Sequence, residues 1–169
     1  MLLSEPPLNP KKNREDLVTL MFEEFKVPKL YIANQSVMSL FATGKTTGTV
    51  LDIGEGITHA VPIYEGYAIP NAIQTVDLCG RDITNYLHQI LMENEKESEL
   101  ITDSFESYEE VKKIKEKMCY MALDFDAELK QAQEQSSIER IYTLPGDKPL
   151  KLKEELIRAP DLLFQPLFI

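Results

Sequence analysis

Asp52-Ile53-Gly54-Glu55-Gly56-Ile57-Thr58-His59 sits where two β-prone runs meet, Thr47 to Gly54 (TGTVLDIG) and Thr58 to Ile69 (THAVPIYEGYAI). Its Asp-x-Gly-x-Gly core is a turn that can also hold an anion. Glycines let backbone N–H groups approach a charged oxygen closely, and an aspartate at a strand end can hold a hydrated cation. The same spacing suits an ordinary tight hairpin with an acidic turn, and residue types alone do not separate the two. His59, on the returning strand, can face the same anion or serve as a hydrogen-bonded structural residue. Gln35 cannot act as a strong base, but a glutamine can orient an attacking water in phosphoryl transfer. In isolation it is a polar residue at a helix start.

Outward from the hairpin, Ala72 to Leu78 (AIQTVDL) continues the strand texture, and Gly54, Gly56 and Gly66 mark turns, which predicts an antiparallel meander. Upstream, Asn9 and Pro10 form a cap and first-turn pair. Leu17, Leu20, Met21 and Phe25 then recur at helical spacing, predicting a helix from about Pro10 to Phe25. Lys29 to Ala33 reads as a strand, and Ser36 to Thr43 as a helix closed by Gly44. Downstream, Gly80-Arg81-Asp82 opens a helix with Asp82 as its cap and Ile83, Tyr86, Leu87, Ile90 and Leu91 as its apolar stripe. The acid-rich stretch from Glu93 to Glu110 predicts a solvated, mobile connection. Tyr108 to Lys130 is expected as one long helix burying Val111, Ile114, Met118, Met121, Ala122, Phe125 and Leu129, with Lys112, Lys115 and Glu116 turned away. Two short strands flank Pro145-Gly146-Asp147.

The chain has 169 residues, 43% of them hydrophobic, enough for a real core and within the range of a single domain. Its 28 acidic residues against 18 basic ones give a net charge of -10, which repels phosphate backbones and argues against direct nucleic-acid binding. No apolar run reaches the length of a membrane span, and the N-terminus lacks the features of a signal peptide, so a cytoplasmic location is expected. Cys79 and Cys119 lack metal-ligand spacing and are expected as buried, reduced thiols. Gly44-Lys45-Thr46 has the ending of a P-loop, but Ser39 stands where the first glycine belongs, and the helix-then-strand context is reversed.

Taken in order, residues 2–15 (LLSEPPLNPKKNRE), 31–69 (YIANQSVMSLFATGKTTGTVLDIGEGITHAVPIYEGYAI), 77–84 (DLCGRDIT), 114–125 (IKEKMCYMALDF) and 163–168 (LFQPLF) resemble the actin family. The resemblance implies an α/β actin-like ATPase (ribonuclease H-like) fold of two lobes, with ATP or ADP and magnesium or calcium between them. It implies that residues 1–46 are part of the first lobe, with a hinge near 35–44. Residues 47–169 are then the second lobe, with a helical insertion at about 80–135. In the family an Asp-Ser-Gly-Asp-Gly hairpin wraps the phosphates. Here Asp52, Gly54, Glu55, Gly56 and Ile57 take that place, with Asp52 holding the metal through water. Gln35 and His59 match the residues that position the hydrolytic water. Gly80, Lys115 and Glu116 match contacts on the adenosine side, and Lys112 replaces the usual arginine.

The chain departs from the family's pattern at Ile53, which removes the hairpin's hydroxyl, and at Glu55, which lengthens a carboxylate by one methylene. The family's first phosphate loop has no counterpart in these residues, and the apolar end Leu167-Phe168-Ile169 looks cut, so a partial chain is expected. The strands at Met1 to Leu3 and Lys29 to Ala33 are then expected to lack partner strands. The implied function is a cytoskeletal filament subunit that binds ATP and hydrolyses it on assembly, with other actin-family subunits and actin-binding proteins as partners. An actin-related scaffold with a weakened or absent ATPase is the alternative. A small-molecule kinase of the same superfamily needs a catalytic aspartate and a substrate pocket for which no motif is present.

Overall fold

The computed structural model describes residues 1–94, 100–134 and 139–165, in two compact units, Met1–Asp77 and Leu78–Ile169. The C-terminal run at 167–169 lies outside the described residues. The secondary structure is mixed α and β, which fits an actin-like fold.

The first unit opens with strand β1 (Leu2–Glu5), helix α1 (Lys11–Thr19) continued by a π-helical turn (Leu20–Glu24), strand β2 (Tyr31–Asn34) and helix α2 (Gln35–Ala42). β1 and β2 are parallel, and among the described residues they pair only with each other. Asn9 does not cap α1 as expected. Its side chain donates to Glu5 and accepts from Asn13, because Glu5 draws in both Asn9 and the forked guanidinium of Arg14. Asn34 caps α2 instead, its Oδ1 accepting from the backbone of Ser36 and Val37 at 3.0 and 3.4 Å. Gly44 then closes the helix at a φ of 77°.

Strands β3 (Gly48–Ile53), β4 (Thr58–Tyr64), β5 (Tyr67–Ala68) and β6 (Gln74–Val76) follow. Glu65 and Gly66, both at positive φ, make the two-residue turn that suits a tight hairpin. The expected meander needs correction, because β6 pairs with β4 and not with β5. A 3-10 turn at Pro70–Ala72 lifts a few residues out of the edge, and the chain then resumes along β4 in the same direction. Proline cannot donate to a ladder, so the interruption falls where the sequence places it. Leu40 of α2 meets Val61 and Ile63 to form this unit's core.

In the second unit, helix α3 (Gly80–Glu93) buries the expected stripe of Ile83, Tyr86, Leu87, Ile90 and Leu91. Asp82 is not its cap. It stands three residues inside, where its carboxylate accepts from the backbone N–H and the thiol of Cys79. The mobile connection expected at 93–110 is corrected in its second half: Ile101 is buried, and α4 (Phe105–Met118) starts at Phe105 under a Ser104 cap. Residues 95–99 lie outside the described residues.

The single helix expected over Tyr108 to Lys130 is two, α4 and α5 (Phe125–Glu134). Tyr120 donates its backbone N–H to Leu156, and Asp124 accepts from Ala127 to start α5, so the ladder is broken between them. Met121 and Leu123 are consequently exposed, and of the expected stripe only Val111 and Ile114 are fully buried. Strands β7 (Arg140–Leu144) and β8 (Lys148–Leu152) flank Pro145-Gly146-Asp147 as expected. Helix α6 (Glu155–Asp161) was not foreseen; Leu156, Ile157, Ala159 and the following Leu162 are all fully buried.

Asp161 is also buried, and its Oδ2 has no partner among the described residues. Burial pushes its carboxyl above the ordinary value against an opposing hydrogen bond from Gln165, and the charge of Asp126 adds to the rise. A carboxyl with a raised folded pKa costs stability as pH climbs above its unfolded value. Asp161→Asn is therefore expected to raise stability to urea at neutral pH by on the order of 1 kcal/mol, with the gain fading in acid. A gain that stays constant with pH would exclude the buried charge as its cause.

Candidate functional site

The β3–β4 register places Asp52 directly opposite His59 and Ile53 opposite Thr58, and β6 puts Thr75 on the other side of His59. Side chains alternate along a strand, so Gly48, Val50 and Asp52 share one face with His59, Val61 and Ile63. This is the face packed by α2, and its polar end is the Asp52–His59–Thr75 row. His59 is 7% exposed, and its Nδ1 lies 3.3 Å from Thr75 Oγ1, a hydrogen bond either partner can donate. Asp52 beside it is half-buried.

The turn is closed by Gly54 N–H donating to Ile57 O at 3.1 Å. Its two glycines have different duties. A Cβ on Gly54 would stand 3.0 Å from the Ile57 carbonyl oxygen, whereas one on Gly56 would meet nothing within 4 Å. A Cβ at Gly54 would crowd the Ile57 carbonyl where the chain approaches itself, whereas Gly56 leaves open space beside exposed backbone. Gly54→Ala is expected to destabilise the fold by about 1 kcal/mol, and Gly56→Ala to leave it unchanged. Paired urea melts check this. Equal losses in the two variants would refute the division.

Ile53 and Glu55 are exposed. Gln35 starts α2 and is exposed, its Nε2 lying 3.5 Å from Ser4 Oγ. In the second unit, Gly80 begins α3, and Lys112, Lys115 and Glu116 share a face of α4 at helical spacing. Lys115, expected to turn away from the buried stripe of α4, has a partner in the neighbouring helix. Its Nζ donates to Gly80 O at 2.8 Å, which ties the end of α4 to the start of α3. Sequence reasoning missed this tie because the two residues are far apart in the chain. The seven residues from Gln35 to His59 thus belong to the first unit, and the four from Gly80 to Glu116 to the second.

Among the described residues no three His, Cys, Asp or Glu side chains gather to hold a metal. Asp52 is the hairpin's carboxylate at a strand end, a donor that fits a cation held through water. Neither thiol is activated. Burial and the Asp82 carboxylate push Cys79 up, and burial pushes Cys119 up to about 12. A separate groove of about 760 Å³ in the first unit is lined mostly by apolar side chains, among them Leu2, Tyr31, Met38 and Phe41, and none of residues 52–59 borders it. No helix among the described residues is long and apolar enough to cross a membrane.

A protein-family model described as Actin matches residues 1–169.

Proposed function

Because that match spans the whole chain, the chain belongs to the actin family, and from this premise we propose that its 52–59 hairpin is the phosphate-side wall of an ATP–magnesium site in a cytoskeletal filament subunit. The observation that carries the reading is the Asp52–His59 pairing at the mouth of a turn whose Gly56 leaves its backbone open. Bound magnesium–ATP supplies the reactive phosphoryl group and the divalent charge. Backbone N–H groups of Glu55, Gly56 and Ile57, in the turn that Gly54 closes, would hold the phosphate oxygens, and Asp52 would orient the metal's water shell. His59, braced by Thr75, and Gln35 orient the attacking water, a role that needs position more than basicity.

On the adenosine side the proposed contacts are Gly80, Lys112, Lys115 and Glu116. The Lys115–Gly80 hydrogen bond supports this grouping. In this reading residues 1–46 form part of the first lobe with a hinge near 35–44, and residues 47–169 form the second lobe with its helical insertion at about 80–135. Partners are other actin-family subunits and actin-binding proteins, in the cytoplasm.

A second reading is a scaffold with a weakened ATPase, favoured by the exposed Ile53 and Glu55 at hairpin positions where the family's pattern has a serine and an aspartate. Phosphate release measured during assembly of the protein separates the two. Release coupled to assembly supports the filament ATPase, and bound but unturned nucleotide supports the scaffold.

A further inference from the structure

Asn34 ends β2 and stands immediately before Gln35, the first residue of α2. Its backbone is extended, at φ -67° and ψ 129°, so the chain turns from strand to helix at this one residue. Its Oδ1 accepts from Ser36 N–H at 3.0 Å and from Val37 N–H at 3.4 Å. Both donors lie in the first turn, where a helix has no carbonyl of its own to offer them. Ser36 is 0% exposed, so water is poorly placed to take over its N–H once the cap is removed.

Gln35 has little else to hold it. Its side chain is exposed, and among the described residues its amide meets only Ser4 Oγ, at 3.5 Å, too long to fix a side chain firmly. An exposed side chain takes its direction from its own backbone. That backbone is set on one side by the parallel pairing of Ser4 with Ala33 and Glu5 with Asn34, and on the other by the Asn34 cap.

We infer that Asn34 is a positioning residue: its cap on α2 fixes the direction in which Gln35 is presented, and so sets how well Gln35 orients the attacking water. The inference rests on the proposed reading in which Gln35 has that role. Positioning supplies most of phosphoryl-transfer catalysis, so a loosened first turn is felt in the rate and not in nucleotide binding.

The test is a double-mutant cycle of Asn34→Ala and Gln35→Ala in the protein, with Asn34→Asp as the replacement that keeps the capping oxygen. Phosphate release is read across a magnesium–ATP titration, and amide hydrogen exchange reports the first turn of α2. Asn34→Ala is expected to speed exchange at Ser36 and Val37, to lower the rate at saturating ATP about tenfold, and to leave the half-saturating ATP concentration unchanged. Asn34→Gly, which removes the side chain at small cost to a helix, repeats the measurement where Asn34→Ala does not fold. Asn34→Asp is expected to restore both exchange and rate. The double variant is expected to be no slower than Gln35→Ala, because the cap acts through that side chain. Losses that multiply in the double variant, a loss carried by the half-saturating concentration, or a parental rate in Asn34→Ala where Gln35→Ala is slow, each overturn the inference and leave the nucleotide reading standing. Release indifferent to Gln35→Ala overturns the reading of Gln35, and the inference falls with it.

Discussion

On the proposed nucleotide reading, Asp52→Asn is expected to lower magnesium-dependent ATP hydrolysis by about a hundredfold and to raise the magnesium concentration needed for half-maximal rate. Asparagine fills the same volume on β3, so the strand pairing with His59 is kept and the fold is not at issue. What is lost is the negative charge at the strand end, which on that reading would orient the metal's water shell. Positioning and electrostatics supply nearly all of phosphoryl-transfer catalysis, so a small change of geometry there carries a large rate factor. Steady-state phosphate release across a magnesium titration, with urea melts alongside, is the measurement. Unchanged turnover in a variant of unchanged stability would remove Asp52 from the site.

Leu156→Ala is expected to cost about 2 to 5 kcal/mol, measured as a shift in the urea unfolding midpoint. Leu156 is 0% exposed in a core shared with Leu87, Leu91, Ile114, Leu150 and Leu152. Its carbonyl also receives the Tyr120 N–H that ends α4. Helix α6 has only 7 residues and contains Pro160, so it cannot persist on helix propensity and depends on this burial. Ile141→Ala serves as the control, because Ile141 is largely exposed on β7 and its loss is expected to cost at most about 0.5 kcal/mol. Similar losses for the two variants would show that α6 does not anchor the second unit.

Local signals were legible where one element satisfies itself. The stripe from Ile83 to Leu91 repeats at helical period and is buried as the period requires. Gly44 ends α2, and Pro145-Gly146-Asp147 turns one strand into the next. Signals failed where a distant partner decided the outcome. The apolar pattern from Val111 to Leu129 continues across the break, but Tyr120 gives its N–H to α6 and Asp124 starts a new helix. Asp82 has the chemistry of a cap, yet the start of the helix at Gly80 puts it three residues past the cap position, facing Cys79. Helix α6 carries too few residues for a period to show, and it contains Pro160.

By itself the sequence determined the hairpin, because the Asp-x-Gly-x-Gly turn between two β-prone runs is a local arrangement written in consecutive residues, and the resemblance of segments along the whole chain carried the family. Only the tertiary structure decided that Asp52 faces His59, that Thr75 braces it, and that a side chain would be crowded at Gly54 and not at Gly56. The reason is physical. Strand register and the approach of one backbone segment to another are set by long-range pairing, which a periodic pattern along one segment does not encode.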